Sequence, residues 1–441
     1  MSLCLPSPYG FRCCRVAWLL ACLGFCLASG PARGDSWPSW RGPTRNGISQ
    51  EANPPLAWSR TKNVRWRLPL PGPAGATPVV WDDRIFLTSV GQDREELLLL
   101  SVHKDGKLLW TRRVGGGNED VRGDEGNFAS PSPVTDGQHV WTFMANGLLA
   151  CYDFAGQEIW KKDLQRDYGE FDIQFGLSST PVLDGDRLYL QIIHGPWSKA
   201  PHKGLVVALD KRTGREVWKQ DRVTDAVDEC KHSYASPTLY EDPQDRFLIT
   251  HGADYVIAHD LDTGKEIWRC GGLHPAGGYN STLRFVASPA AVPGLIVAPT
   301  AKGGKVVGIR PGGKGNITGS PDYIAWIFPR HTPDVPSPLI HDGLVYLCRE
   351  NGNLLVLEAE TGQKVYEERT TRDRHRASPV YAAGRIYLTA RNGMVTVVRA
   401  GRDFEVLARN ELGESVTASP VFADGRLYLR SFDALYAFGN E

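Results

Sequence analysis

The sequence has no surplus of charge: 50 Lys and Arg face 50 Asp and Glu. A chain so balanced is not built to hold nucleic acid by bulk electrostatics, which needs a field of cations along the polyphosphate. It is also short of long apolar runs. The run at residues 16–28 falls below the roughly 20 residues that a membrane-spanning helix requires, so no transmembrane span is expected. Contiguous catalytic signatures are missing as well: there is no His-Glu-x-x-His, Gly-x-Ser-x-Gly, Walker loop, strand-linked Gly-x-Gly-x-x-Gly or Cys-x-x-Cys-His haem motif. Any site must therefore be assembled from separate loops.

Cysteine is scarce where it would count. Five of the nine, Cys4, Cys13, Cys14, Cys22 and Cys26, lie in the first 34 residues. There, Arg12 and Arg15 precede the apolar run, and Ala32-Arg33-Gly34 offers small residues where a signal peptidase reads. Residues 1–34 thus read as a cleaved secretory signal, placing the mature chain, from about Asp35, in the periplasm or outside the cell. Lipidation at Cys22 would need a longer apolar core before it. Cys151 and Cys348 sit in apolar runs as small buried hydrophobes. Cys230 and Cys270 follow Trp218 and Trp268 at equivalent places, which leaves a disulfide between them open.

What the chain has in abundance is turns and repeats. With 47 Gly and 30 Pro it suits many short strands. A unit typified by residues 235–268 opens on Ser-Pro, passes through short apolar runs and ends on an aromatic residue. Its start occurs eight times, at Thr77-Pro78, Ser132-Pro133, Thr180-Pro181, Ser236-Pro237, Ser288-Pro289, Ser337-Pro338, Ser378-Pro379 and Ser419-Pro420. Its end recurs as Trp110, Trp160, Trp218, Trp268, Trp326 and Tyr366, with Leu407 at the decayed position of the next unit. Eight such units predict an all-β, eight-bladed β-propeller of four-stranded blades. Asp-Gly turns at Gly137, Gly185, Gly343 and Gly425 mark the first hairpins, and Thr-Gly turns at Gly214, Gly264 and Gly362 the third. The last unit stops one strand short, and residues 63–70, Asn-Val-Arg-Trp-Arg-Leu-Pro-Leu, form a strand with no unit of their own. The N-terminal strand is therefore expected to complete the last blade and remove the open edge. Residues 35–62 form an arm pinned to the propeller by Trp37 and Trp40, and residues 63–441 form the propeller itself.

At residues 208–218 and 258–268 the pattern Ala-x-Asp-x-x-Thr-Gly-x-x-x-Trp resembles the repeat of the pyrroloquinoline-quinone (PQQ) propeller superfamily. The resemblance spans roughly residues 63–441. It implies one of two things: a quinoprotein alcohol dehydrogenase using PQQ with calcium, or a cofactor-free propeller like the lipoprotein of the outer-membrane β-barrel assembly machinery. The adjacent cysteines that such dehydrogenases often set against the quinone are absent from the propeller, since the one Cys-Cys pair is Cys13-Cys14.

In a propeller the connections between blades and the loops between second and third strands gather on one face. The connections out of the first three units are acidic and those out of units four to six basic, giving a two-signed funnel. Its expected lining is Gln174, His232, Tyr234, Arg284, Lys302, Arg330, Arg349, Arg374, His375 and Arg391. A half-ring of guanidinium groups suits a carboxylate, sulfate or phosphate; the plainer reading is a rim whose charges pair across loops. No metal site is expected. His194 and His202 lack a third ligand at useful spacing, and residues 118–127 miss the calcium-loop spacing, with Arg122 intruding. A glycan enzyme would need paired carboxylates and exposed aromatics in the funnel. The expectation is a monomeric, secreted or periplasmic, non-catalytic scaffold without a cofactor, binding an envelope protein or an anionic small ligand, in outer-membrane assembly. The alternative is a PQQ-dependent oxidoreductase with calcium.

Overall fold

Each Ser-Pro or Thr-Pro start opens an antiparallel sheet, and eight sheets follow one another along the chain. The computed structural model describes residues 36–121, 126–199, 202–274 and 278–440, with no side-chain detail for His202 and Lys203. The signal segment therefore lies outside the described residues, as do Arg122 and the His202 side chain. Blades 1 to 7 occupy residues 79–115, 134–163, 182–224, 238–270, 290–328, 339–369 and 380–411. Blade 8 joins Val421–Ala423, Arg426–Arg430 and Ala434–Gly439 to Val64–Pro69. The N-terminal strand runs antiparallel to the C-terminal one, from Val64 opposite Phe438 to Pro69 opposite Ala434, and closes the ring as expected. Blade 4 departs from four strands. The long loop of blade 5 reaches back, and Gly315–Asn316 adds a parallel fifth strand beside Trp268 and Arg269.

The second and third strands are mostly apolar and buried because neighbouring blades cover both their faces. Arg84–Val90 and Leu97–His103 are buried almost end to end, whereas Val64–Pro69 on the rim alternates half-buried and exposed. The fourth strand carries a bulge at the same place in every blade. Next to it, the tryptophan lies opposite a small residue of the third strand: Trp66 faces Ala437, Trp110 Ser101, Trp160 Cys151, Trp218 Ala208, Trp268 Ala258 and Trp326 Gly308. The alanine of the repeat pattern thus leaves room for the indole. Where the indole is lost, the partner grows, with Val356 opposite Tyr366 and Val397 opposite Ala408. Register places Ala408, not Leu407, at the decayed position: Leu407 is the bulge residue itself, as Val217 and Ile267 are in their blades.

Five of these six indoles then tie their blade to the next, the buried Trp268 Nε1 being the exception. Trp160 Nε1 donates to the Lys211 carbonyl at 2.9 Å and Trp218 Nε1 to the Leu261 carbonyl at 2.9 Å, both in the third turn of the following blade. Near the axis a second tie runs round the whole ring. The N–H of Ser236 donates to the Ser288 hydroxyl at 2.8 Å, that of Ser288 to Ser337 at 2.9 Å, and so on through all eight starts.

The arm crosses one face. Trp37 is fully buried and bridges to Val80 of blade 1, while Asn46 Nδ2 donates to the Ile340 carbonyl of blade 6 at 2.8 Å. Arg41 is buried between them and donates to the carbonyls of Pro338 at 2.7 Å and Pro379 at 3.0 Å. Cys151, Cys230, Cys270 and Cys348 are all free and buried, so Cys230 and Cys270 form no disulfide. No helix among the described residues is long and apolar enough to cross a membrane.

Candidate functional site

The ring of hydroxyls surrounds a narrow throat of about 170 Å³, with Trp40 of the arm at its far end. Two residues before each start, on the opposite face from the arm, a second ring approaches the axis: Gly75, Ser130, Ser178, Tyr234, Val286, Val335, Arg376 and Thr417. Above this ring the throat widens into a cavity of about 480 Å³, walled by blade connections and by loops between second and third strands.

The cavity is two-signed and internally paired. Arg284 Nη1 lies 2.9 Å from Glu229, and its guanidinium covers the Phe175 ring at 5.2 Å. The Phe175 ring in turn meets Tyr234 at 5.9 Å. Across the cavity Arg376 Nη1 is 3.0 Å from Glu350, and Lys302 Nζ is 3.3 Å from Glu350 and 3.8 Å from Asp334. Asp334 and Glu350 share a hydrogen bond. Burial first, and then the Glu350 charge beside it, push the Asp334 carboxyl up to about 6. Burial works against Glu350 too, but the Asp334 hydrogen bond and the charges of Arg376 and Lys302 hold it below the ordinary range. The site sets two carboxylates against two cations, and Asp334 is the one that takes up a proton as the pH falls towards 6.

Of the ten residues named from the sequence, Tyr234, Arg284 and Lys302 line this cavity. Gln174 and Arg330 are exposed away from it. His232 is buried with Nε2 at 3.0 Å from the Gly195 carbonyl. His375 is buried in the core, where loss of solvent pushes its imidazole down to about 4. Arg349 turns outward to Glu367, which also takes His331 at 3.1 Å. Arg374 is largely exposed, 4.0 Å from Glu350, and the backbone N–H of Arg391 donates to the Arg374 carbonyl at 2.7 Å. The cavity also uses Phe175, Asp334, Glu350 and Arg376, outside those ten. The two-residue offset from the Ser/Thr-Pro starts was the signal that picks out Arg376. Of the metal candidates, His194 Nδ1 accepts the Asp172 N–H at 3.1 Å, an ordinary loop contact.

Comparison with known proteins places this geometry. A curated relative from Kangiella koreensis, "Outer membrane protein assembly factor BamB", is 27% identical over 138 residues, an alignment covering 30% of this chain and 30% of the relative. Among solved structures, BamB from Moraxella catarrhalis superposes with a TM-score of 0.57 at 14% identity, covering 83% of this chain and 94% of that one. The quinohemoprotein alcohol dehydrogenase from Comamonas testosteroni superposes with a TM-score of 0.64 at 13% identity, covering 92% and 81%. At such identities the two structures share the fold with this chain and nothing finer. The model of the family described as "Outer membrane protein assembly factor BamB" matches residues 55–191, 127–315 and 324–440, and the chain belongs to that family.

Proposed function

We propose that this propeller is a non-catalytic scaffold of the bacterial envelope, secreted through its N-terminal signal, that binds a partner protein in outer-membrane assembly through the face opposite the arm. The supporting observation is the pairing inside the cavity. Arg284, Lys302 and Arg376 each already hold a carboxylate of the same chain, Glu229, Asp334 or Glu350. A tricarboxylate quinone fits this donor set poorly, because it would have to displace Glu229, Asp334 and Glu350 or sit beside them uncompensated. A glycan-cleaving role fits poorly too. Asp334 and Glu350 both lie against the same Lys302 ammonium, whereas the two carboxyl groups of a glycosidase flank the bond to be cleaved.

Two measurements test the reading. Purified protein titrated with PQQ, with and without calcium, is expected to show no change in melting temperature. A saturable rise that Arg376→Ala abolishes would overturn the cofactor-free reading, since a ligand at a hundredfold excess over Kd stabilises by roughly 2.7 kcal/mol. A photocrosslinking residue at the exposed Arg374 position, in the source cell, is expected to trap an outer-membrane assembly protein, whereas one at Leu108, exposed on the fourth strand of blade 1, is not. Equal crosslinking from both positions, or none from Arg374, would remove the docking face.

A further inference from the structure

Beside the axial cavity, three donor atoms of different chemistry converge from three separate segments. The Cys230 thiol comes from the short turn Asp228–Lys231 between blades 3 and 4. The Asp254 carboxylate comes from the loop between Arg246–Gly252 and Tyr255–His259. The His274 imidazole comes from the connection between blades 4 and 5. One ligand atom from each lies within 4.8 Å of the others. We infer that Cys230, Asp254 and His274 form a binding site for a single divalent transition-metal ion, zinc by the chemistry of the donors.

The donor set carries the choice of ion. Thiolate, imidazole and carboxylate together suit zinc, at about 2.3 Å for sulfur and about 2.0–2.2 Å for nitrogen and oxygen, and do not suit calcium or magnesium, which take oxygen. Such bonds put tetrahedral ligands roughly 3.3–3.6 Å apart, so closing the cluster takes movements on the order of 1 Å.

The surroundings match those of a ligated site. His274 Nδ1 points at Asp254 Oδ1, 3.1 Å away, while Nε2 lies 2.9 Å from the Asn280 carbonyl. Nε2 also lies 3.0 Å from the Asn280 N–H, so the Asn280 backbone meets this nitrogen with a donor and an acceptor; with the metal on Nδ1 it is the carbonyl that takes the Nε2 proton and fixes the ring, as outer partners of metal-bound histidines do. The Tyr279 hydroxyl donates to the other carboxylate oxygen, Asp254 Oδ2, at 2.5 Å, and its ring stacks on His274 at 4.2 Å. Asp254 is only 7% exposed, and its one ion pair among the described residues is with His274. A buried carboxylate normally has a firmer cation. The loop is shaped to aim it inward: Ala253 and Asp254 both take left-handed backbone, φ 45° and 67°. A nucleophilic role for the sulfur is excluded by access, since Cys230 is 0% exposed.

Binding would replace the thiol proton, released to solvent, with a bond to the metal. It would also fasten the cavity wall. The turn that carries Cys230 carries Glu229, and the connection that carries His274 runs on to Arg284, the partner of Glu229 in the cavity. The inference does not depend on what the cavity binds.

Cobalt(II) titration of the tag-free purified protein tests it. The expected result is saturation at one ion per chain, with a sulfur-to-cobalt charge-transfer band and tetrahedral visible bands that zinc displaces. Cys230→Ser should remove the charge-transfer band, and Cys270→Ser should leave it intact. Zinc should raise the melting temperature and a chelator reverse it. If Cys230→Ser does not fold, Asp254→Asn reads instead: it keeps a partner for Tyr279 and should weaken cobalt binding at least tenfold. Absence of the charge-transfer band in the wild type, its survival in Cys230→Ser, or unchanged affinity in Asp254→Asn overturns the site.

Discussion

The backbone N–H of Ser419 donates to the Thr77 hydroxyl at 3.1 Å, joining the last blade to the first at the axis. This bond closes a circle in which each blade start accepts from the start before it. The circle explains why Ser or Thr precedes proline at every start. Proline has no N–H to offer, and the residue before it is held extended, so its own N–H and hydroxyl are free to bond sideways. Ser288→Ala strips the acceptor from the buried Ser236 N–H and should cost about 1–3 kcal/mol. Ser288→Thr should cost less, since Thr77 and Thr180 do the same work. Urea unfolding of the two variants checks this.

The indole ties predict an asymmetry between glycines. Gly264 has φ +70°, and a Cβ there would lie 2.4 Å from the Trp218 ring; Gly294 has φ +82° and nothing within 4 Å. Alanine at either pays the left-handed penalty of roughly 1–2 kcal/mol. Gly264→Ala should add about 1–3 kcal/mol for displacing the indole. A difference in melting temperature between the two variants isolates the contact between blades 3 and 4.

Much of this was legible in the sequence and some was not, for separable reasons. The blades follow from period and turn chemistry, which are local. The closing strand follows because residues 63–70 and the truncated last unit complement each other. The axial residues obey an equally regular rule, two positions before each start, yet the expected lining used looser offsets, so that beside Tyr234 it took in Gln174 and His232 and left out Arg376. The carboxylates were harder to see. Glu350 stands between Arg349 and Asn351 in a run that reads as basic, and its partners Arg376 and Lys302 come from neighbouring blades. Cys230 and Cys270 look equivalent by spacing, but Cys270 ends a regular strand and Cys230 sits in a turn that faces Asp254 and His274. Proximity of that kind is created by the ring and leaves no mark in the linear order.

Glu414 makes ring closure depend on pH. Its side chain is almost buried and accepts from Tyr436 at 2.6 Å and from Ser431, with Arg67 of the closing strand at 3.3 Å and Arg60 of the arm at 3.0 Å. Burial alone would raise this carboxyl, but the Ser431, Tyr436 and Arg67 contacts hold it below the ordinary value. The native state therefore favours the ionised form. Its stabilisation is complete above the unfolded value of about 4.3 and is lost as pH falls through the lower native value. Glu414→Gln should be less stable than wild type at pH 7, and the gap should narrow below about pH 4. A gap that stays constant with pH would show that the carboxylate charge contributes nothing to closure.

Asp334 carries the opposite sign. Its carboxyl is raised to about 6 by burial and by Glu350, so the native state keeps a proton that the unfolded chain, at about 3.9, gives up. The contribution of Asp334 to stability should therefore grow as the pH falls from 7 towards 5, with this carboxyl taking up its proton on folding in that interval. The uptake also changes the cavity, which gains one positive charge as Asp334 is neutralised beside Lys302 and Arg376. Asp334→Asn removes the titration and should be at least as stable as wild type at pH 7, because it keeps a hydrogen-bond donor for Glu350 and ends the repulsion between the two carboxylates. Chemical denaturation at pH 7.5 and pH 5.5 separates the cases. The buried histidines, His375 among them, favour the neutral native form and lower stability on acidification in both proteins, so the reading is the difference: wild type should lose less stability than Asp334→Asn across that span, whereas equal losses would place the proton elsewhere.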